Sequence, residues 1–392
     1  MLKMISKKQI SKNKPNLVIA SDAYLPRWDG IARFLYDIIL VARKKFDITI
    51  VAPRFRGKKP NIEGIKEVLM PLRNIVIGDY ELPQVRKNML KNAIKDADLV
   101  WTHTLGPLGK TAISLSKKYN KRVIAYVHSI EWELFSRALG KPLIYNPIAA
   151  LSRNFVKKYY SKCDLLMVPS HTVLNLFRWY KIKTKAQVVP LGINTKKFIP
   201  PENKIDAKKK IGFSPSSTII GYCGRLAHEK DLKTLVRAYL RQRDLHENLK
   251  LVLVGGGLEE LKNKFSKLSG VTLTGSKNNV VPYYQAMDIY VLPSLTETTS
   301  LSTLEAMSCE VPVLTTPVGE ANIYVKNNRN GFKFSKGSSV ELSHFLKLLI
   351  DDDKLRKRLG MHARKTVVEE YSWDVASKKI LDLLIVQSDN RK

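Results

Sequence analysis

Apolar and polar positions along the chain form two alternating kinds of segment. Short continuous apolar runs punctuate the first half: "NLVIASDAY", "DITIVAP", "ADLVWTH", "RVIAYVHS" and "CDLLMVPS". The second half carries "TIIGYCG", "LKLVLVGGG", "VTLTG", "DIYVLP" and "VPVLTT". A strand covered on both faces has no solvent side, so it reads as a near-continuous run rather than an alternation. Between the runs lie segments with helical spacing, among them "GIARFLYDIILVARKK", "LGKTAISLSKKY" and "LSTLEAMS". Strands alternating with helices predict an α/β protein with parallel sheets covered on both sides. The halves repeat the architecture but not the sequence, which excludes a short-period solenoid.

The pattern breaks at "VVPLGINTKKFIPPENK", where Gly192, Pro200 and Pro201 read as a linker. We expect a first Rossmann-like domain over residues 15–194 and a second over 195–371, facing each other across a cleft. The closing segment "YSWDVASKKILDLLIVQ" predicts an amphipathic helix over 372–388, capped by Ser372, that returns to complete the first domain. A length of 392 residues suits two such cores.

Charge changes the picture more than hydrophobicity does. The net charge is +32, and residues 1–195 hold 35 Lys and Arg against 13 Asp and Glu, a net of +22. An anionic partner for the first half follows, either nucleic acid or an anionic membrane surface; a solvated lysine-rich surface is the plain alternative. No apolar run reaches membrane-spanning length, and the basic amino terminus lacks the apolar stretch of a signal peptide. Three scattered cysteines, Cys163, Cys223 and Cys309, suit a reducing cytoplasm better than a disulfide framework or a zinc site.

The sharpest chemistry lies in "LPSLTETTSLSTLEAMSCEVPVLTT", where Glu297 follows a strand and Glu305 sits one turn inside the next helix. Both carboxylates would face the crevice at the carboxyl ends of the strands, where open α/β sheets bind ligands. In "GYCGRLAHEKDLKTLVRAYL", Gly224 lets backbone approach a ligand, and Arg225 and Lys230 can clamp a diphosphate. The turn "VGGG", with Gly255 and Gly256, offers room for a base or ribose, or is a plain strand-to-helix turn. In the first half, Asp29-Gly30 opens a helix whose amides favour an anion. His128 ends a strand before Glu131 and Glu133, placed either to bond a sugar hydroxyl or phosphate or to serve the core.

Together these motifs resemble family 4 of the retaining glycosyltransferases, over nearly the whole chain from Leu17 to about Leu384. The resemblance rests on "GRLAHEKD", "YYQAMDIYVLPS", Glu297-x7-Glu305 followed by "AMSCEVPVLTTPVGE", the linker "VVPLGINTKKF" and the ending "YSWDVASKKI". It implies the GT-B fold and transfer of a hexose from a nucleotide-sugar with formation of an α-glycosidic bond. By carry-over, Glu297 and His128 meet the transferred sugar, and Glu305 bonds the donor ribose. Thr299, Ser300 and Leu301 present amides to the diphosphate, Arg225 and Lys230 neutralise it, and Gly30 lets the first domain's loop close over the phosphates. Donor binding is expected to need neither metal nor cofactor. Three departures stand out: Asp29-Gly30 where the family has a double glycine, Thr298-Thr299-Ser300 where Gly-Phe-Gly is common, and Glu320 after Gly319. The second of these resembles lipid-modifying members.

The acceptor would belong to the basic first domain. Two stretches there, Trp132–Tyr160 and Leu176–Gln187, mix aromatics, aliphatics and cations as an interfacial segment does, although a core with solvated cations gives the same pattern. The expectation is a cytoplasmic enzyme, peripheral on the inner face of the cell membrane, with a membrane-lipid or polyprenyl-linked acceptor. The alternatives are a soluble transferase with a sugar, inositol or protein acceptor, an epimerase of the same fold, and a basic nucleic-acid-binding protein. The last leaves Glu297, Glu305, Arg225 and Lys230 without a purpose.

Overall fold

The computed structural model describes residues 14–27, 29–77, 80–132 and 145–389. The chain divides into two compact units, and neither is a contiguous stretch. One unit comprises the chain through Val168, then Phe177–Gln187, then the chain from Ile380; the other comprises Pro169–Leu176 and Val188–Lys379.

The first unit is built on β1 (Asn16–Ala20), β2 (Asp47–Pro53), β3 (Ile65–Met70), a hairpin of β4 (Leu72–Ile77) with β5 (Tyr80–Pro83), β6 (Leu99–Thr102), β7 (Arg122–Tyr126), β8 (Leu165–Val168) and β9 (Ala186–Val188). Its main sheet runs β3-β2-β1-β6-β7-β8-β9. β1, β6 and β8 are buried at nearly every residue, as a sheet covered on both faces demands. The order reverses between β1 and β6. There the Asp22 carboxylate accepts from the Thr104 hydroxyl and from the amides of Leu108 and Gly109, capping the helix Pro107–Lys118.

The second unit is built on β10 (Thr218–Cys223), β11 (Leu249–Val254), β12 (Val271–Gly275), β13 (Ile289–Leu292), β14 (Val313–Thr315) and β15 (Gly331–Lys333), paired in parallel in the order β12-β11-β10-β13-β14-β15. Its switch in strand order lies between β10 and β13. The loops leaving those two strands carry Arg225, Lys230 and Glu297, so the topology alone brings them to one crevice.

Three strands and the hairpin depart from the apolar-run pattern. β3 carries the adjacent charges Lys66 and Glu67 at a sheet edge, and β9 and β15 have three residues each. At the linker, the segment from Val188 packs with the second unit, tied by the Ile193 amide to the Tyr371 carbonyl at 3.0 Å and the Trp373 amide to the Ile193 carbonyl at 2.7 Å. The final helix spans Trp373–Asp389, and Ser372 Oγ accepts from the Val375 amide. Its residues through Lys379 pack in the second unit; Ile380 and Leu384, both fully buried, pack in the first.

Candidate active site

In the second unit, β10 ends in a glycine turn and the chain tightens into a single 3-10 turn, His228–Lys230, closed by Asp231 at φ 45°. That turn aims Lys230 at the loop after β13. Lys230 Nζ donates to Glu297 Oε1 at 2.5 Å, and Ser294 Oγ donates to the same oxygen at 2.9 Å. Both partners of the ion pair are largely buried, with side chains 19% and 13% exposed. Arg225 stands apart from Glu297. Its guanidinium pairs with Glu229 at 2.7 Å and is 65% exposed. The Glu229 carbonyl accepts from the Leu295 amide at 2.8 Å, locking the two loops together.

The helix Leu301–Ser308 starts at the Ser300 cap, whose hydroxyl accepts from the Thr303 amide. The first-turn amides of a helix have no acceptor within it, and its positive end favours an anion. Beside this terminus, Thr299 is 9% exposed and its hydroxyl has no hydrogen-bond partner. A buried unsatisfied hydroxyl is costly, and a ligand oxygen there would relieve it. Further along the helix Glu305 is buried, and the Tyr284 hydroxyl donates to its Oε2 at 2.7 Å.

The glycines serve the loops themselves. Gly224, Gly255 and Gly257 have φ of 155°, 143° and 150°, and a Cβ on Gly255 would sit 1.9 Å from the Gly224 carbonyl oxygen. The Gly224 amide reaches Val254 and the Leu226 amide reaches Gly256, so the turns after β10 and β11 are bonded face to face. A Cβ on Gly256 would meet Ser276 Oγ at 2.6 Å. Close approach of backbone to backbone thus accounts for Gly255 and Gly257, while Gly256 lies against a side chain. Gly319 does the same beneath the acidic loop: at φ 49°, its Cβ would lie 2.4 Å from the Thr298 carbonyl oxygen. Next to it, Glu320 donates its amide to Thr298 and accepts from the His171 amide.

In the first unit, Gly30 is the first residue of the helix Gly30–Ala42 and is exposed, with nothing within 4 Å of its would-be Cβ. The Asp29 side chain caps the helix, accepting from the Ala32 amide at 2.8 Å, and pairs with Arg27 at 3.4 Å. A carboxylate already stands at the terminus expected to favour an anion. His128 is half-buried, and its Nε2 lies 2.9 Å from His103 Nδ1. The rings of Phe34 and Tyr126 flank both. Burial pushes His128 down to about 3 and holds His103 well below the usual histidine range, so both are neutral at pH 7. Glu131 is 5% exposed and accepts from the Tyr160 hydroxyl; burial raises its carboxyl to about 7 against the opposing effect of that bond. Glu133, and the stretch 133–144 of the expected interfacial segment, lie outside the described residues.

The structure therefore joins Lys230 to Glu297, sets Arg225 on the adjoining turn, and places Thr299, Ser300, Leu301 and Glu305 on one short segment. Ser294, Tyr284, Glu229 and His103 are partners that sequence reasoning missed. Tyr284 stands inside the quoted motif "YYQAMDIYVLPS", but no spacing rule ties it to Glu305. Among the described residues, no group of three or more His, Cys, Asp or Glu could hold a metal ion.

Known proteins similar to this chain include sugar transferases. The profile described as Glycosyltransferase Family 4 matches residues 28–197, and that of Glycosyl transferases group 1 matches residues 203–366. A UDP-Gal:alpha-D-GlcNAc-diphosphoundecaprenol alpha-1,3-galactosyltransferase of Escherichia coli is 26% identical, covering 94% of this chain and 96% of its own. A GDP-mannose-dependent monoacylated alpha-(1-6)-phosphatidylinositol monomannoside mannosyltransferase of Corynebacterium glutamicum is 24% identical over 97% of this chain and 100% of its own. The Anabaena protein HepE, solved with UDP and glucose, superposes with a TM-score of 0.72 at 16% identity, over 95% of this chain and 99% of its own. The fold is that of the GT-B glycosyltransferases. The chain belongs to glycosyltransferase family 4 and is a glycosyltransferase.

Proposed function

We propose that the protein moves a hexose, with retention, from a nucleotide-sugar to a membrane-lipid or polyprenyl-linked acceptor. The observation that carries the donor half is the Lys230–Glu297 pair beside a helix terminus with an orphan hydroxyl at Thr299. In this reading the terminus and Thr299 receive the diphosphate, and Lys230 and Arg225 neutralise charge as the glycosidic bond breaks. Glu297 and His128 bond the sugar's hydroxyls, and Glu305 bonds the ribose. Gly30 stays bare so that the first unit's loop approaches the phosphates. The leaving phosphate takes the acceptor's proton, and neither metal nor cofactor takes part. The complex of HepE with UDP and glucose supports a nucleotide-sugar donor.

For the acceptor, both full-length relatives act by name on lipid-linked substrates. The first half carries the larger share of the positive charge. On that unit Trp179 and Leu151 are 80% and 74% exposed. Their elements touch through Arg153, whose guanidinium lies 4.8 Å from the Tyr180 ring. An aromatic and an aliphatic tip among basic residues suits an anionic interface on the cytoplasmic side of the membrane. Among the described residues, no helix is long and apolar enough to cross a membrane.

The test is nucleotide release from UDP-, GDP- and ADP-sugars, with and without anionic vesicles holding candidate lipid acceptors. Release that needs vesicles and yields a labelled lipid supports the whole proposal. Release with soluble acceptors alone keeps the transferase and removes the lipid. Sedimentation with vesicles at low salt should be lost in Trp179→Ser/Leu151→Ser; unchanged sedimentation would remove this surface from the account.

A further inference from the structure

Glu305 does not meet a ligand alone. Tyr284, in the helix Val281–Ala286, is fully buried, and its hydroxyl donates to Glu305 Oε2 at 2.7 Å. Its ring is fixed from two sides, by Phe198 with centroids 5.9 Å apart at 72° and by Tyr290 at 6.1 Å and 50°. Burial, first, and then the neighbouring Cys223 and Glu305 hold the phenol well above its ordinary range, so it stays a proton donor.

We infer that Tyr284 is a positioning residue that gives the donor site its preference for ribose over deoxyribose, by fixing the plane of the Glu305 carboxylate. An ionised carboxylate offers about four lone-pair directions on two oxygens. A donor held rigidly against Oε2 stops rotation about the last side-chain bond and leaves Oε1 at one place. A vicinal diol can then donate to a carboxylate whose orientation is already set, so little ordering is left for binding to bring about. A rotating carboxylate would meet one hydroxyl nearly as well as two. The inference rests on the proposed meeting of Glu305 with ribose, and the experiment separates the two.

Affinities of UDP, GDP and ADP and of their 2′-deoxy counterparts are measured by calorimetry on the full chain, and the ratio of ribo to deoxy is compared between variants. Hydrogen bonds to charged groups differ by enough to give the wild type a ratio of ~10 or more with its preferred base. Glu305→Gln should bring that ratio close to one. Tyr284→Phe, which keeps the ring, should cut it at least ~3-fold and raise KM for the nucleotide-sugar more than it lowers kcat. Adding Tyr284→Phe to Glu305→Gln should change the ratio no further, because the tyrosine acts through the glutamate. If Glu305→Gln leaves the ratio intact, the ribose reading falls. If Glu305→Gln collapses it while Tyr284→Phe weakens ribo and deoxy forms equally, the ribose reading survives and the positioning role is lost.

Discussion

A lysine and a glutamate 67 positions apart share a bond because each closes a loop at the same reversal of strand order. The pairing gives Glu297 a cationic partner in a largely buried place and turns one of its oxygens toward Lys230 and Ser294. Glu297→Gln removes the charge at nearly constant shape, and transfer should fall ~100-fold or more while nucleoside diphosphate still binds. Steady-state rates beside calorimetric affinities check this; a variant that transfers at full rate would remove Glu297 from the chemistry. Lys230→Ala should lower both rate and diphosphate affinity, since the lysine serves the anion as well as Glu297. Glu297, Glu305, Arg225 and Lys230 were legible because each stands at a strand end or helix start that the apolar pattern marks. Tyr284 and His103 were not, because their partners come from other elements and no local spacing encodes them; Ser294 is only three residues before its partner Glu297, but a serine in a loop carries no distinguishing pattern.

At the level of elements, the loops after the strands are held by backbone contacts that only glycine allows. Gly319 brings its turn against Thr298 at a left-handed φ. Alanine there costs ~1–2 kcal/mol for the backbone alone, before its Cβ meets the Thr298 carbonyl. Gly319→Ala should therefore push out the loop that bears Glu297, reducing transfer with little change in far-ultraviolet circular dichroism. Retention of full activity would show the loop to be held otherwise. The same logic explains what the sequence pattern showed of the fold. The buried strands β1, β2, β6, β7, β8, β10, β11, β13 and β14 announce themselves as apolar runs, and so does the edge strand β12, whose "VTLTG" keeps apolar residues although none is buried. The edge strand β3 does not: it is exposed at two of its six positions and carries Lys66 and Glu67, so its pattern reads as a loop. The glycine triplet marks a close approach in the sequence, and the paired turn supplies backbone as one of the approaching groups.

Across the whole molecule, buried titratable groups give opposing responses to pH. His103 and His128 are held neutral by burial, so unfolded chains take up protons that the native unit refuses, and stability falls as pH drops below about 6.5. Glu131 has the reverse sign. Its carboxyl is raised from 4.5 to about 7, so its burial costs little below about 4.5, progressively more from there to about 7, and a constant amount above. The full difference is on the order of 3 kcal/mol. Melting midpoints of wild type and Glu131→Gln, measured from pH 4.5 to 8, should diverge in the variant's favour as pH rises. A constant gap would mean that Glu131 is charged throughout.

The division of the chain between its units also has a bearing on synthesis. Ile380 and Leu384 close the core of the unit that contains the amino-terminal strands, and Arg122 Nη1 bonds Gln387 Oε1 at 3.3 Å. These residues leave the ribosome after every strand of both units. At translation speeds of ~5–20 residues per second, the earlier strands wait on the order of ten seconds or more for their final helix, after the second unit's strands have all been made. During that interval the apolar surface meant for Ile380 and Leu384 has no native cover. Chaperone dependence should therefore concentrate on nascent chains that extend past Gln187 but stop short of Ile380, and shortening the last helix should trap the protein there.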